Sequence, residues 1–385
     1  DLHGLLKLIS VHYPLQPLKA PDVYPPEMFY WRFFRDPFRP GDKVPKGMIR
    51  TTPLVRGRSP VEWGKKPIVV NETGWIQYYL PPHGMTAYVG DRIYENPEEV
   101  FATHTLLNRK MAEGQRDAGV SIITPWKVYR DESIREVVPP VSVVLLQQYN
   151  SFFTGREIFF DLNLFHDAMK KETLPFSWTL TRGGTTVEEK RELLTCDYGV
   201  TFRRRIRLNL STPGVYTLEV RFGEAEPVRK TLYFYDPIPL KSGLVVAADE
   251  EIRSRKESLL RKAEQGATVL ILPRKDYPSF LPGCPQVTSR NASVNFTFHP
   301  DSPVFRGLRM EQLSFFYPDH RTGSGCFAKP HQGNFRSLLE CGGPVGMHYS
   351  ALLEVPYVKG RFLSSRLGFD FQKNPVACIL YNNIM

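Results

Sequence analysis

Glu72 is the residue whose type and setting most directly suggest chemistry. It lies in the segment Lys66-Pro67-Ile68-Val69-Val70-Asn71-Glu72-Thr73-Gly74-Trp75. Pro67 to Val70 form a short apolar run without alternation, the pattern of a strand buried on both faces, as in a parallel sheet or the inner wall of a (β/α)8 barrel. Barrels gather their reactive groups at the carboxyl ends of such strands. A carboxylate mounted there can act as nucleophile or as acid/base in glycoside chemistry. The plainer alternative is a strand-end Glu that caps a loop.

A carboxylate so placed needs neighbouring strands to hold it. Leu5 to Val11 reads as a buried strand ending in His12-Tyr13-Pro14, and Val120 to Thr124 as another ending in Pro125-Trp126. Between them, Val100, Thr103, Leu106, Leu107 and Met111 recur at helical spacing within Pro97 to Ala118. Strand–helix–strand order predicts βα units across residues 1–137. Pro25 to Phe34 reads as a helical turn carrying aromatics. Residues 35–66 read as a long loop rich in Pro, Gly and basic residues, and loops of that length are functional or disordered.

Pro139-Pro140 marks a linker, after which the periodicity changes to two. Val141 to Gln147, Ile158 to Phe165, Phe176 to Thr181, Val200 to Leu210, Val215 to Phe222 and Val228 to Tyr235 are strand-like. Gly183-Gly184, Pro213-Gly214 and Gly223 supply turns between several of them. Short strands at this spacing predict an immunoglobulin-like sandwich over 138–238. In 239–385, Gly243 to Ala248 and Ala267 to Leu272 read as strands around a helix from Glu250 to Gly266, a βαβ unit and hence a small α/β domain. Later, Leu352 to Val355 and Gly360 to Leu363 return as strands, and Pro375 opens a last helix with Asn374 as its N-cap. The expected fold class is multidomain, α/β plus all-β.

With 385 residues, 42% hydrophobic and 23% charged, the composition is that of ordinary globular domains. No stretch approaches the roughly 20 apolar residues of a membrane span. The net charge of +10 is scattered. Its densest run, Arg203-Arg204-Arg205 with Arg207, falls in an alternating strand and reads as a solvated face rather than a phosphate patch, so no nucleic-acid partner is expected. The five cysteines are far apart and show no Cys-x-x-Cys spacing. That disfavours zinc, and their odd number argues against a disulfide framework. The chain starts at Asp1 and ends in an unterminated helix, the expectation being a fragment of a longer protein. The compartment is therefore unassigned; a signal peptide upstream would make it periplasmic or extracellular.

At Val11-His12-Tyr13-Pro14, Val70-Asn71-Glu72-Thr73-Gly74-Trp75 and Thr124-Pro125-Trp126 the chain resembles the last three barrel strands of glycoside hydrolase family 2-like enzymes, the β-galactosidase and β-glucuronidase group. The rest resembles the accessory modules that follow such barrels. Gly266-Ala267-Thr268-Val269-Leu270-Ile271-Leu272 and Pro303-Val304-Phe305-Arg306-Gly307-Leu308 resemble the class I glutamine-amidotransferase-like domain of some β-galactosidase relatives. The resemblance implies that residues 1–137 are about strands six to eight of a (β/α)8 barrel. It implies that Glu72 is the catalytic nucleophile, that Trp126 stacks on the sugar, and that His12 lies where the nucleophile or a sugar hydroxyl is hydrogen-bonded. Asn71, Tyr13 and Trp75 are the further substrate contacts it suggests, with loop packing as their plainer role.

One departure from the family pattern matters. Retaining hydrolysis needs a second carboxyl about 5–5.5 Å from the first. The family carries it as a Glu ending strand four, which would lie upstream of Asp1, so this chain alone is expected to be inactive. An amidotransferase would need an elbow Cys after a strand and a His-x-Glu later. Cys326 follows glycines rather than a clear strand, and His348 lacks the Glu, so the C-terminal domain reads as a structural or homo-oligomerising module. The partner implied is a carbohydrate; no metal or cofactor is indicated. A different class of function, a non-catalytic carbohydrate-binding or assembly protein with a degenerate barrel, is the alternative reading.

Overall fold

In a computed structural model the described residues are 9–12, 68–73, 82–117, 121–125, 136–247, 252–273 and, with short gaps, 277–385. Three parallel strands open the chain: β1 (Ile9–His12), β2 (Ile68–Thr73) and β3 (Ile122–Pro125), in the order β1-β2-β3. Helices α1 (Pro82–Val89) and α2 (Pro97–Asp117) fall between β2 and β3. The Asn96 side chain accepts the Glu99 N–H at 3.0 Å, and Pro97 follows it, so an N-cap and a first-turn proline fix where α2 begins. Three βα-type strands are present, but a closed (β/α)8 barrel is not shown. Leu5 to Leu8 was expected to belong to β1, and it lies outside the described residues, as do Pro25 to Phe34 and 35–66.

The middle of the chain forms a β-sandwich. Its strands are β4 (Val141–Leu145), β5 (Ser151–Phe153), β6 (Glu157–His166), β7 (Glu172–Arg182), β8 (Thr185–Cys196), β9 (Val200–Asn209), β10 (Gly214–Phe222) and β11 (Val228–Tyr235). One sheet runs β5-β11-β10-β7-β8 and the other β4-β6-β9. Alternate residues of both face one core of Phe160, Leu162, Leu164, Trp178, Leu180, Ile206, Leu218, Val220 and Leu232, among others. Burying a large side chain of this kind contributes about 1.5–3 kcal/mol. The Tyr216 hydroxyl donates to the Thr212 carbonyl at 2.9 Å, a corner of the kind that immunoglobulin-type sandwiches use where a strand begins. The arginine run on β9 alternates as expected. Arg204 pairs with Glu192 at 2.8 Å and Arg205 with Asp161 at 2.6 Å.

The last part is richer in strands than a simple α/β unit. Chain order gives β12 (Val245–Ala247), α3 (Lys256–Glu264), β13 (Thr268–Ile271), β14 (Gln286–Thr288), β15 (Cys326–Ala328), β16 (Arg336–Cys341), β17 (Tyr349–Tyr357), β18 (Gly360–Ser365) and α4 (Pro375–Ile384). The sheet runs β12-β13-β18-β17-β15-β14, with β16 also on β17. Among the described residues of this sheet β12, β13 and β18 pair in parallel and the other strands antiparallel. Ala247, Val269, Ile271 and Phe362 pack under Leu259 and Ala263 of α3. Leu270, Leu352 and Leu363 pack instead in the cluster that holds Val376, Leu380 and Ile384 of α4. The expected N-cap is present, since the Asn374 side chain accepts the Val376 N–H at 3.0 Å. The expected helix Glu250 to Gly266 is shorter, Lys256–Glu264.

The three parts lock together pairwise. Asp117, at the end of α2, accepts from Asn163 on β6 at 2.5 Å and from Arg203 on β9 at 3.3 Å. Its neighbour Arg116 donates to Ser142 at 3.0 Å and lies 4.1 Å over the Phe165 ring. The α1 residue Thr86 accepts the Gly343 N–H at 3.1 Å. Gly342 is required there, because a Cβ on it would stand 2.1 Å from the Thr86 carbonyl carbon. Between sandwich and C-terminal part, Gln312 donates to Ser151 at 3.0 Å and to the Tyr235 hydroxyl at 2.8 Å.

Candidate functional site

The candidate site is the carboxyl end of the β1-β2-β3 sheet. In the parallel register Ile9 aligns with Ile68, Ser10 with Val69, Val11 with Val70 and His12 with Asn71. On the other side Val69 aligns with Ile122 and Val70 with Ile123, but the next aligned pair is Thr73 with Pro125. Over that step β2 advances one residue more than β3. The extra residue falls at Asn71-Glu72. An inserted residue of this kind bends a strand, leaves a backbone position out of the ladder and re-aims side chains, and such bulges concentrate next to active sites. Glu72 therefore stands at an irregularity in the central strand, flanked by the ends of both neighbours.

This backbone arrangement brings together some of the expected residues. His12 and Asn71 are register partners, and Glu72 follows directly. Pro125, which ends β3, lies beside Thr73. Tyr13, Trp75 and Trp126 lie outside the described residues, each within two positions in sequence of a strand end. Sequence reasoning found the strand and its terminal carboxylate. It missed the bulge, which alters pairing without leaving a mark in the pattern of apolar residues.

Cys326 and His348, which the sequence did not support as an amidotransferase pair, stand in different surroundings. Cys326 is fully buried at the start of β15, whereas His348 is exposed. A nucleophile and its base must sit within hydrogen-bond reach of one another. The Cys326 sulfur instead lies 3.6 Å from that of Cys341. Asn295-Phe296-Thr297 has the form of a glycosylation triplet, but Asn295 is buried, and its amide donates to the Leu313 carbonyl at 2.7 Å and to Thr322 at 2.8 Å, so it is no glycan acceptor. Among the described residues no group of three or more His, Cys, Asp or Glu side chains is arranged to hold a metal ion. No helix among them is long and apolar enough to cross a membrane.

No family model matches the chain, and no curated protein matches it in sequence. Solved structures with partial likeness include a β-glucosidase from Listeria innocua in complex with glucose, at 8% identity and a TM-score of 0.22, covering 24% of this chain and 16% of that one. A Bacteroides uniformis β-glucuronidase matches at 13% identity and a TM-score of 0.20, over 37% of this chain and 21% of that one. The CARDB domain of a Pyrococcus furiosus protein, in complex with di-metal ions, matches at 7% identity and a TM-score of 0.21, over 25% of this chain and 85% of that domain. The chain thus spans 16% of the length of the β-glucosidase it resembles.

Proposed function

We propose that this chain is the C-terminal part of a retaining glycoside hydrolase that cleaves β-glycosidic bonds by double displacement. In this reading residues 1–137 end a (β/α)8 barrel, 138–238 form an immunoglobulin-like module and 239–385 a non-catalytic amidotransferase-like module. The observation that supports it is the irregularity at Asn71-Glu72, centred between two parallel strand ends. Glu72 attacks the anomeric carbon as a carboxylate. An acid/base carboxyl from outside these 385 residues protonates the leaving oxygen, and the same group then activates the water that releases the sugar. Trp126, with Tyr13 and Trp75, offers aromatic planes to the C–H faces of the ring. His12 and Asn71 supply polar partners for the nucleophile or for sugar hydroxyls.

The test uses the natural full-length protein, wild type and Glu72→Gln, against a panel of aryl β-glycosides, with folding matched by circular dichroism. The expected result is a loss of turnover by several orders of magnitude in Glu72→Gln. A glycosyl adduct on Glu72 in the wild type would accompany it. Undiminished turnover by Glu72→Gln would remove Glu72 from the mechanism. A wild type that binds sugars and hydrolyses none would instead support a carbohydrate-binding protein with a degenerate barrel.

A further inference from the structure

A segment of the C-terminal part reaches into the end of the sandwich. It carries Tyr317 and His320 and follows the 3-10 turn Met310–Leu313. The Tyr317 ring lies edge-on to Tyr149, with centroids 5.0 Å apart, and to Phe152 at 5.8 Å, and it packs against the sandwich core. The His320 ring lies 4.6 Å from the Tyr149 ring, tilted by 35°. One hydrogen bond crosses at this point. The backbone N–H of Gln148, in the connection between β4 and β5, donates to His320 Nε2 at 3.0 Å. The Gln148 carbonyl is tied to the sandwich, since Lys230 of β11 donates to it at 2.7 Å. Stacking on Tyr149 is the ordinary account of such a histidine. It does not explain why the ring turns a nitrogen onto a backbone donor.

We propose that His320 is a pH-sensitive latch between the sandwich and the C-terminal sheet. An amide N–H can only donate, so Nε2 must offer a lone pair, and the single ring proton sits on Nδ1. Protonation puts an N–H on Nε2, donor against donor. The latch is therefore closed with a neutral ring, and it is lost as pH falls through the range in which imidazole titrates. Several elements bring charged or titratable groups to this seam. Lys230 of β11 is a cation held on Gln148 itself. Asp161 of β6 is shared by Arg205 of β9 and Gln147. Glu311 of the 3-10 turn takes the Tyr233 hydroxyl. Tyr149 and Tyr317 present their rings. Asp319 and Arg321, the sequence neighbours of His320, lie outside the described residues.

The backbone of the segment is poised to move when the latch is lost. Phe315 and His320 both lie in the left-handed region, with φ of 52° and 65°. Such conformations cost a residue that has a side chain, and they persist where surrounding contacts enforce them. Protonation of His320 removes one of those contacts. Other ties across the seam hold no imidazole. Asn150 donates to the Glu311 carbonyl at 3.1 Å, and Gln312 donates to Ser151 and to the Tyr235 hydroxyl. Opening is thus a swing of the segment with Tyr317 and His320 while Gln312 keeps its hold. It uncovers Tyr149 and Phe152, and the two parts stay joined.

The test follows hydrogen exchange at the Gln148 amide of the full chain, at about pH 7.5 and about pH 5, corrected for the intrinsic effect of pH. The expected result is protection at the higher pH and a loss of about tenfold or more at the lower. His320→Gln, whose amide oxygen can stand where Nε2 stands, should keep Gln148 protected at both. His320→Asn tolerates the left-handed backbone but is too short to reach, and should leave Gln148 unprotected at both. His104→Gln, on α2, should leave the wild-type step in place. Equal protection at the two pH values in the wild type, or a step that survives in His320→Gln, would overturn the proposal. Should the variants fold poorly, the wild type with isotope-labelled histidine still decides. At the higher pH its His320 proton should sit on Nδ1, and a proton on Nε2 would rule the latch out.

Discussion

His104 is 1% exposed on α2, and burial lowers the pKa of its imidazole from 6.5 to about 4. The Asn108 amide nitrogen, one helical turn on, lies 3.1 and 3.2 Å from its two ring nitrogens. An amide donor in that place favours an unprotonated ring. The folded state thus prefers the neutral form, while the unfolded chain takes up a proton near pH 6.5. Stability from this group is complete above pH 6.5 and is lost as pH falls towards 4, by an amount on the order of 3 kcal/mol. His104→Gln, which cannot titrate, should flatten the fall in denaturant midpoint between pH 6.5 and 4, even if it is less stable throughout. Identical slopes in wild type and variant would assign the acid sensitivity elsewhere. The role proposed for Glu72 has the reverse requirement, because a carboxylate nucleophile must stay ionised.

At the level of elements, the β17–β18 hairpin carries an avoidable strain. Tyr357 pairs with Gly360, leaving Val358 and Lys359 as a two-residue loop. Val358 has a φ of 53° and is 76% exposed. A β-branched residue in the left-handed region costs on the order of 1–3 kcal/mol, and turns of this length place glycine there. Val358→Gly should raise stability by about 1 kcal/mol after the entropy of the added glycine is counted. A urea midpoint that falls would show that Val358 is not strained. The same hairpin shows why part of the fold was hidden in the sequence. Leu352 to Val355 and Gly360 to Leu363 read as strands, but no Asn-Gly or Asp-Gly signal joined them. Long alternating strands such as β6 and β9 were legible because the sandwich core selects every second residue. β8 was missed because its run Glu188-Glu189-Lys190-Arg191-Glu192 looks like a solvated segment. Among the described residues it pairs with β7 alone, and charge is what an edge strand carries to discourage further pairing. β14 and β15, three residues each, are too short to show a period. At the candidate site the strand was legible from an unbroken apolar run rather than from alternation, and the carboxylate because it follows that run at once, whereas a one-residue bulge is a property of pairing and not of composition.

Across the whole molecule, the seam between α2 and the sandwich depends on a buried carboxylate. The Asp117 side chain is 1% exposed, and it holds the amide of Asn163, which is buried, and the guanidinium of Arg203, which is 60% exposed. Removing the carboxylate strands a buried amide and one side of an ion pair, and such losses cost about 2–4 kcal/mol. Removing the exposed partner costs about 0–1 kcal/mol, because water can replace it. Asp117→Ala should therefore lower the denaturant midpoint far more than Arg203→Ala. The loss should be local as well. Amides of α2 should exchange faster with solvent in Asp117→Ala, while those of β10 and β11, on the other sheet of the sandwich, should keep their protection. Equal, small effects of the two substitutions would mean that the parts merely touch. The unequal result would mean that the sandwich orders α2, the helix that returns the chain from β2 to β3. The sandwich and the C-terminal sheet would then act as a frame that keeps the ends of the parallel strands, and Glu72 between them, in one place.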